Sequence, residues 1–111
     1  MTSGNYYIGD LFFVLQEEFS LITKPFKNEF ILNDDRVIAY YPTVNMSESY
    51  QDQFGQEYLI ENGNIGCIKI EDIDSVKANF SKGKIISFYD SFNTRETQNR
   101  ILFGHICVFP Y

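Results

Sequence analysis

The sequence predicts a mainly β protein, all-β or α+β, folded as a small antiparallel β-barrel or sandwich with one or two short helices. Phe and Tyr are abundant, at 11 and 8 of 111 residues, and such side chains pack well across a pleated sheet. Short apolar runs recur along the chain with turn-forming residues between them. Asn62-Gly63 separates two of these runs, and this dipeptide favours a two-residue hairpin turn because both residues tolerate positive φ. The length is that of one ordinary domain, so we expect residues 1–111 to form a single domain.

The N-terminal part is predicted to contain two strands and a helix. Tyr6-Tyr7-Ile8 and Leu11–Leu15 are apolar runs, and Gly9-Asp10 between them indicates a turn or bulge. The second run is apolar at every position, as in a strand covered on both faces, although periodicity alone does not exclude a buried helix. Gln16–Phe26 is predicted to be a helix, because two glutamates suit its first turn and a proline suits its end.

The middle of the chain is predicted to form two hairpins joined by a polar loop. Asn33-Asp34-Asp35 separates the runs Glu29–Leu32 and Arg36–Tyr41, and Asn and Asp tolerate the left-handed conformations of tight turns. Thr43–Gly55 is polar and is predicted to be a loop. The hairpin around Asn62-Gly63 follows it.

The C-terminal part is predicted to contain a short helix and two strands. Glu71–Asn79 is the predicted helix, and Phe80–Lys84 is a turn that leads into a strand over residues 85–89. Asp90–Asn99 is polar and is predicted to be exposed. Ile101–Phe109 is predicted to be one strand, with an internal glycine that indicates a bulge or a close backbone approach.

The charge distribution favours a protein partner over a nucleic acid. The formal net charge is −6, and it divides into −7 for residues 1–61 and +1 for residues 62–111. Direct nucleic-acid binding needs a Lys/Arg patch, so the acidic half is better suited to a basic protein surface. The simpler interpretation is that the charge only keeps the protein soluble. Acidic side chains and tyrosines of the first half are predicted to contact a basic partner. They are Asp34, Asp35, Tyr41, Glu48, Tyr50 and Asp52.

Two residues are the candidates for catalysis. His105 is the only histidine, and its apolar surroundings in the predicted last strand are typical of a structural residue. Asp10 lies between two apolar runs, where it would either cap a turn or be buried with a raised pKa unless backbone amides bond it. An alternative function is therefore a small hydrolase-like enzyme that uses Asp10 and His105 as an acid–base pair within hydrogen-bonding distance. A third alternative is a homo-oligomeric structural subunit.

No metal site, cofactor or membrane span is predicted. Two cysteines and one histidine without paired spacing do not suggest zinc, and the chain has no phosphate-binding glycine motif. Cys67 and Cys107 are predicted to be small buried apolar residues, which form a disulfide only if their strands are neighbours. The first residues do not suggest a secretory signal, so we expect a cytoplasmic protein.

Several short motifs occur in an order that resembles a family of small uncharacterised bacterial and phage proteins. Members of that family carry Y-I-G-D, T-x-Y-G-D-G-x-Y and D-x-G-x-I-G motifs and a late F-G strand. The corresponding segments here are Tyr7-Ile8-Gly9-Asp10, Tyr41-Pro42-Thr43 with Ser49-Tyr50, Gly63-Asn64-Ile65-Gly66 and Phe103-Gly104.

This chain departs from the family pattern at two places. Leu11-Phe12 replace Pro-Cys, and Asn45–Glu48 replace Y-G-D-G. The resemblance implies that any activity shared through that loop is lost or altered here, and it carries no established function. Charge and size favour a non-enzymatic interaction domain, such as an inhibitor or an immunity or anti-defence protein that acts on a basic toxin or nuclease.

Overall fold

Two antiparallel five-stranded sheets make up most of the computed structural model, which describes residues 1–22 and 28–111. Sheet A has the strand order β2-β3-β6-β1-β7, and sheet B has the order β5-β4-β10-β9-β8. The mainly β class is therefore confirmed, and because the sheets are not closed the arrangement is a sandwich and not a barrel. The strands are β1 Gly4–Gly9, β2 Glu29–Ile31, β3 Val37–Pro42, β4 Glu48–Asp52, β5 Glu57–Ile60, β6 Asn64–Lys69, β7 Lys84–Phe88, β8 Thr94–Thr97, β9 Arg100–Phe103 and β10 Ile106–Pro110.

Sheet A lies in the middle of the molecule because both of its faces are covered. Along β1, Tyr6 and Ile8 point into the core between the two sheets, whereas Tyr7 points into a second core beneath the helical segments. Alternate side chains of a strand face opposite sides of the sheet, so a strand covered on both faces needs apolar residues at consecutive positions. This explains the unbroken apolar run that predicts β1.

The second apolar run forms a helix instead of the predicted strand. Phe12–Leu15 is one turn of α-helix, α1, and Gln16–Leu21 continues as a 3₁₀ helix. Val14 and Leu15 are buried against sheet A in the second core. An apolar run of five residues has no period, so only this packing decides between strand and helix. The predicted helix over 16–26 is thus 3₁₀ as far as Leu21, and its last part lies outside the described residues.

The segment around Asn62-Gly63 connects the two sheets and is not a hairpin. The strand before it, β5, pairs with β4 in sheet B, and the strand after it, β6, pairs with β1 and β3 in sheet A. Gly63 has a φ of 68°, but Asn62 does not have the positive φ that a type I′ turn requires. The chain bends here with a positive φ at Gly63, but the predicted type I′ turn and the predicted strand pairing across it are both wrong.

Three segments contain different secondary structure from that predicted. The predicted loop Thr43–Gly55 contains β4, and the predicted exposed stretch Asp90–Asn99 contains β8. The predicted helix Glu71–Asn79 is reduced to a 3₁₀ turn at Ile70–Asp72, followed by turns. Strands β4 and β8 are polar because one face of sheet B is open to solvent, so their sequences lack the apolar signal of a buried strand.

The predicted last strand is a hairpin of β9 and β10 with Gly104-His105 as its loop. Phe103 pairs with Ile106 across this loop, and Gly104 has a φ of 58°. A positive φ at the first of two loop residues is the requirement of a type II′ turn, which glycine meets without strain. The prediction of a single strand is therefore wrong, because the glycine marks a reversal of the chain and not a bulge. The remaining 3₁₀ helix, Phe80–Lys82, precedes β7 as the predicted turn.

Candidate functional site

Asp10 is fully buried at the end of β1, and backbone and side-chain N–H groups bond both of its carboxylate oxygens. Oδ1 accepts from Phe12 N at 3.0 Å and from Asn64 Nδ2 at 2.9 Å. Oδ2 accepts from Glu61 N at 2.9 Å, from Asn62 N at 2.8 Å and from Asn62 Nδ2 at 3.1 Å. The carboxylate therefore joins the start of α1 to the segment that crosses from sheet B to sheet A. These interactions are those of a structural acceptor.

His105 lies in the exposed β9–β10 turn and not on an apolar strand face. Its backbone oxygen accepts from Gln53 Nε2 at 2.6 Å, and its ring packs edge-on against Phe88 with centroids 5.4 Å apart. Phe88 pairs with Gly4 at the start of β1. The expectation that His105 shares a face with apolar strand residues is wrong, because the chain turns at this position.

Asp10 and His105 lie at opposite ends of the sandwich. His105 contacts Phe88, and Phe88 pairs with Gly4 at the start of β1. Asp10 follows Gly4 by six residues, directly after the end of β1. Six residues of extended strand span about 20 Å. The structure therefore does not bring the two side chains within hydrogen-bonding distance, and the acid–base pair that the enzyme alternative requires is not formed.

Tyr41 and Tyr50, predicted as surface anchors, are both buried. Their side chains belong to the core between the sheets, where they are 1% and 5% exposed. The Tyr41 hydroxyl bonds Thr94 Oγ1 at 2.8 Å, and the Tyr50 hydroxyl donates to Glu48 at 3.5 Å. Tyr50 alternates with the polar residues Ser49 and Gln51 along β4, whereas Tyr41 lies in the largely apolar strand β3, and in both strands the tyrosine faces the core between the sheets. The prediction that they contact a partner needs correction for this reason.

Asp52 and Glu48 also have internal partners. Asp52 is 2% exposed and accepts from Phe54 N at 2.9 Å, from Gln56 N at 3.1 Å and from the Tyr58 hydroxyl at 2.8 Å. It closes the β4–β5 turn and is not accessible to a partner, which corrects its predicted role. Glu48 is half-buried and accepts from Asn45 Nδ2 at 3.1 Å.

Asp34 and Asp35 are exposed in the β2–β3 turn, where the sequence places them. Two further chain segments bring carboxylates beside this turn, and we call the resulting surface the acidic end. It contains seven carboxylates and three cations among the described residues, a formal balance of −4. Its members are Glu17, Glu18, Asp34, Asp35, Glu71, Asp72 and Asp74 with Arg36, Lys69 and Lys77.

Arg36 holds the acidic end together. Its Nη2 lies 2.7 Å from Glu18 Oε2 and 2.8 Å from Asp34 Oδ2, and its Nη1 donates to the Asp72 carbonyl at 3.4 Å. The hydrogen bond from the guanidinium lowers the pKa of Asp34 below its usual value. Asp34 therefore stays ionised while Arg36 fixes the geometry of this carboxylate and of Glu18, whereas Glu71, at 75% exposure, projects into solvent.

Local sequence could not reveal the acidic end as a unit. Local patterns place Glu71, Asp72 and Asp74 at the start of a short helix, and Glu17 and Glu18 in the first turn of another. The available signal is the recurrence of adjacent acidic residues at 17–18, 34–35 and 71–72. Their convergence depends on the packing of the 3₁₀ segments over sheet A.

The two cysteines are free and lie in different sheets. Cys67 is buried in β6 of sheet A, and Cys107 is half-buried in β10 of sheet B. Burial raises the pKa of the Cys67 thiol, which keeps it protonated and unreactive. No disulfide links them.

Residues 1–22 and 28–111 contain neither a membrane-crossing helix nor a metal-ligand cluster. No helix in these ranges is long and apolar enough to cross a membrane. In the same ranges, no group of three or more His, Cys, Asp or Glu side chains is arranged to hold a metal ion.

Buried tyrosines predict a loss of stability at high pH. Burial, with a smaller contribution from Glu48, raises the pKa of Tyr50 from 10.0 to about 12. The unfolded state releases the Tyr50 proton at a lower pH than the folded state does. The contribution of Tyr50 to the free energy of unfolding is therefore complete below the unfolded pKa, and it is lost as the pH rises from about 10 to about 12. Urea unfolding across this range should show the decline, and Tyr50→Phe should reduce it. A stability that is flat over this range would contradict the prediction.

Comparisons of the chain with protein-family models, with curated proteins and with solved structures gave no match. The resemblance to a family of small bacterial and phage proteins therefore remains a prediction from short motifs. Any function proposed for the protein must accordingly come from the geometry of the chain alone.

Proposed function

We propose that this protein is a non-enzymatic interaction domain whose acidic end binds a basic surface of another protein. The single observation that carries the proposal is the convergence of seven carboxylates from three separate segments on one surface, in a chain of net charge −6. Complementary fields of this kind accelerate encounter and disfavour acidic partners. Asp34 and Asp35 keep their predicted role in this proposal.

The arrangement of the acidic end supports recognition and not only solubility. Arg36 is 13% exposed at the side chain and fixes two carboxylates by short ion pairs, so the surface is partly pre-organised. Fixed groups lose less conformational entropy when a partner binds them. Individual exposed ion pairs contribute only about 0–1 kcal/mol, so several must act together to give specific binding.

The finer proposal is an inhibitor or an immunity or anti-defence protein that acts in the cytoplasm. Small size and acidic charge support an inhibitor of a basic toxin or nuclease, since such an inhibitor must compete with a negatively charged substrate. The two free thiols suit a reducing compartment. The homo-oligomeric alternative remains a prediction, to be tested by light scattering.

A pair of charge variants tests the proposal. In the first, Asp35→Asn, Glu71→Gln and Asp74→Asn remove three exposed charges from the acidic end and leave the Arg36 ion pairs intact. Binding of an oligoarginine peptide, measured by calorimetry at low salt, should weaken about tenfold, since three pairs each contribute up to about 0.5 kcal/mol. Added salt should weaken wild-type binding as well.

The control variant removes the same number of exposed charges elsewhere. It carries Glu57→Gln, Asp90→Asn and Glu96→Gln, none of which belongs to the acidic end. Its affinity for the peptide should stay within about twofold of the wild-type value. Equal losses in the two variants would show that only net charge matters, and salt-insensitive binding would remove the electrostatic basis of the proposal.

A further inference from the structure

Strand β7 forms a free edge of sheet A. The sheet ends at this strand, and β1 is its pairing partner. Within residues 1–22 and 28–111, no hydrogen bond outside the β1–β7 ladder involves a backbone group of residues 84–88. Alternate residues of an edge strand direct their N–H and C=O groups away from the sheet. We call this row of unpaired donors and acceptors the β7 edge, and it can pair with another strand.

The β7 edge lacks the features that usually protect the edge of a sheet. Short strands, charged side chains and proline are the common protections. β7 has five residues, whereas the other edge strands in the described part of the chain, β2, β5 and β8, have three or four. Ile85 on this strand is 55% exposed, and Tyr89, directly after it, is 90% exposed. Of these four edges, β7 is therefore the best suited to pair with another strand.

The exposed side chains of the β7 edge lie on one face of sheet A. Ile85 is opposite Tyr7 on β1, so it lies on the face that carries the second core, whereas Ile86 packs against the core between the sheets. Alternation along the strand places Ser87 and then Tyr89 on the same face as Ile85. A strand added at this edge would therefore lie beside an exposed isoleucine and an exposed tyrosine.

The sequence of the β7 edge is complementary to itself when two copies run antiparallel. The register follows from placing Ser87 opposite Ser87 of a second copy. Ile85 then lies opposite Tyr89 of that copy, and a β-branched residue and an aromatic ring make a favourable cross-strand pair. In the same register, Lys84 lies opposite Asp90. These two side chains make no ion pair within the described part of the chain, so both charges are free to pair.

We propose that the protein forms a symmetric homodimer in which β7 of one copy pairs antiparallel with β7 of the other. The two copies of sheet A then join into one continuous sheet. The two-fold axis makes the Ile85–Tyr89 contact and the Lys84–Asp90 ion pair occur twice each. The assembly closes at two copies because both β7 edges are used. The dimer does not depend on what the acidic end binds.

Sedimentation equilibrium of the whole chain measures this dimer. A strand edge of this length forms an interface at the small end of the specific ones, so we expect a dissociation constant on the order of 100 µM. Raising the protein concentration from about 5 µM to about 1 mM should shift the average mass from the monomer towards twice its value. NMR over the same range should shift the amide resonances of residues 84–90 and leave those of β2 unchanged. At about 5 µM most of the protein is monomeric, so substitutions at Asp90 hardly change the free energy of unfolding measured there.

Two isoleucine variants separate the β7 edge from exposed apolar surface in general. Ile85→Lys puts a charge on the edge and should weaken dimerisation at least about tenfold. Ile31→Lys is the matched control, since Ile31 is 66% exposed on β2, at the opposite edge of sheet A. It should leave the dissociation constant within about twofold of the wild-type value. Circular dichroism establishes that each variant is folded.

Two charge variants test the register. Lys84→Glu places two carboxylates opposite each other, and Asp90→Lys places two ammonium groups opposite each other. Each variant alone should therefore dimerise about tenfold more weakly than the wild type. An equimolar mixture of the two should form a heterodimer with an affinity within about threefold of the wild-type value, because every opposing pair then joins a cation and an anion. Both variants keep a negative net charge, so general attraction does not explain such a heterodimer.

A wild-type chain that stays monomeric at about 1 mM overturns the proposal, including the case in which the β7 edge accepts only a strand of another protein. Equal effects of Ile85→Lys and Ile31→Lys also overturn it. So does a mixture of the two charge variants that dimerises no better than either variant alone. Failure of oligoarginine to bind the acidic end would leave this result unchanged, because the acidic end and the β7 edge share no residue.

Discussion

Replacing Asp10 with alanine is expected to lower the free energy of unfolding by about 3–5 kcal/mol, the range for removing one partner of a buried charged network. The substitution leaves five N–H donors without their acceptor, from Phe12, Glu61, Asn62 and Asn64. Each buried group left unsatisfied costs about 1–3 kcal/mol, although relaxation and entering water recover part of it. Urea unfolding monitored by circular dichroism measures the effect.

Two variants control this experiment. Asp90→Ala removes an exposed carboxylate and should change stability by no more than about 0.5 kcal/mol. Asp10→Asn keeps the shape and one acceptor oxygen, so its loss should fall between those of the two alanine variants. A loss below about 1 kcal/mol for Asp10→Ala would mean that Asp10 does not hold the crossing segment in place.

Replacing Gly66 with alanine is expected to cost about 3 kcal/mol, at the upper end of the usual range for overpacking a core. Gly66 lies in β6, between β1 and β3 at the centre of sheet A. A Cβ at this position would overlap the Ala39 carbonyl oxygen and would lie 2.7 Å from Leu11 Cδ1. The first of these contacts is with backbone, so the neighbouring strand itself has to move. The same urea measurement detects the loss.

Gly55→Ala is the control for the glycine substitution. Gly55 has a φ of 80°, but no atom lies within 4 Å of the position that a Cβ would take, so alanine there meets only backbone strain. That strain costs about 1–2 kcal/mol. If Gly55→Ala were as destabilising as Gly66→Ala, close packing would not be the reason that β6 requires glycine.

Both substitutions act on the same feature, the packing of α1 and the crossing segment against sheet A. Asp10 bonds the crossing segment, and the next residue, Leu11, contacts Gly66 and donates its N–H to Asn64 Oδ1 at 3.0 Å. The segment most typical of a local hairpin is therefore fixed by contacts with residues more than fifty positions away in sequence. This is why the positive φ of Gly63 could be predicted, whereas the strand partners of this segment could not.

The residues of the candidate site also divide into those that local sequence predicts and those that it does not. The Asn33-Asp34-Asp35 turn was predictable because turn preferences are local, and Asp35 has the left-handed φ of 70° that such residues tolerate. Tyr41 and Asp52 were not predictable as interior residues, since their polar atoms find partners in Thr94 and Tyr58 on other strands. Burial of a polar side chain depends on such partners, which a single sequence does not reveal.

The sequence by itself determined the mainly β class, the turn at Asn33-Asp34-Asp35 and the acidic balance, because backbone preferences, side-chain period and charge are properties of short segments. The tertiary structure alone decided which strands pair, that Leu11–Leu15 includes a helix, and that His105 lies in a turn far from Asp10. It also brought Glu71 and Asp72 beside Asp35. These outcomes depend on contacts between residues distant in the chain, whose energies no local pattern contains.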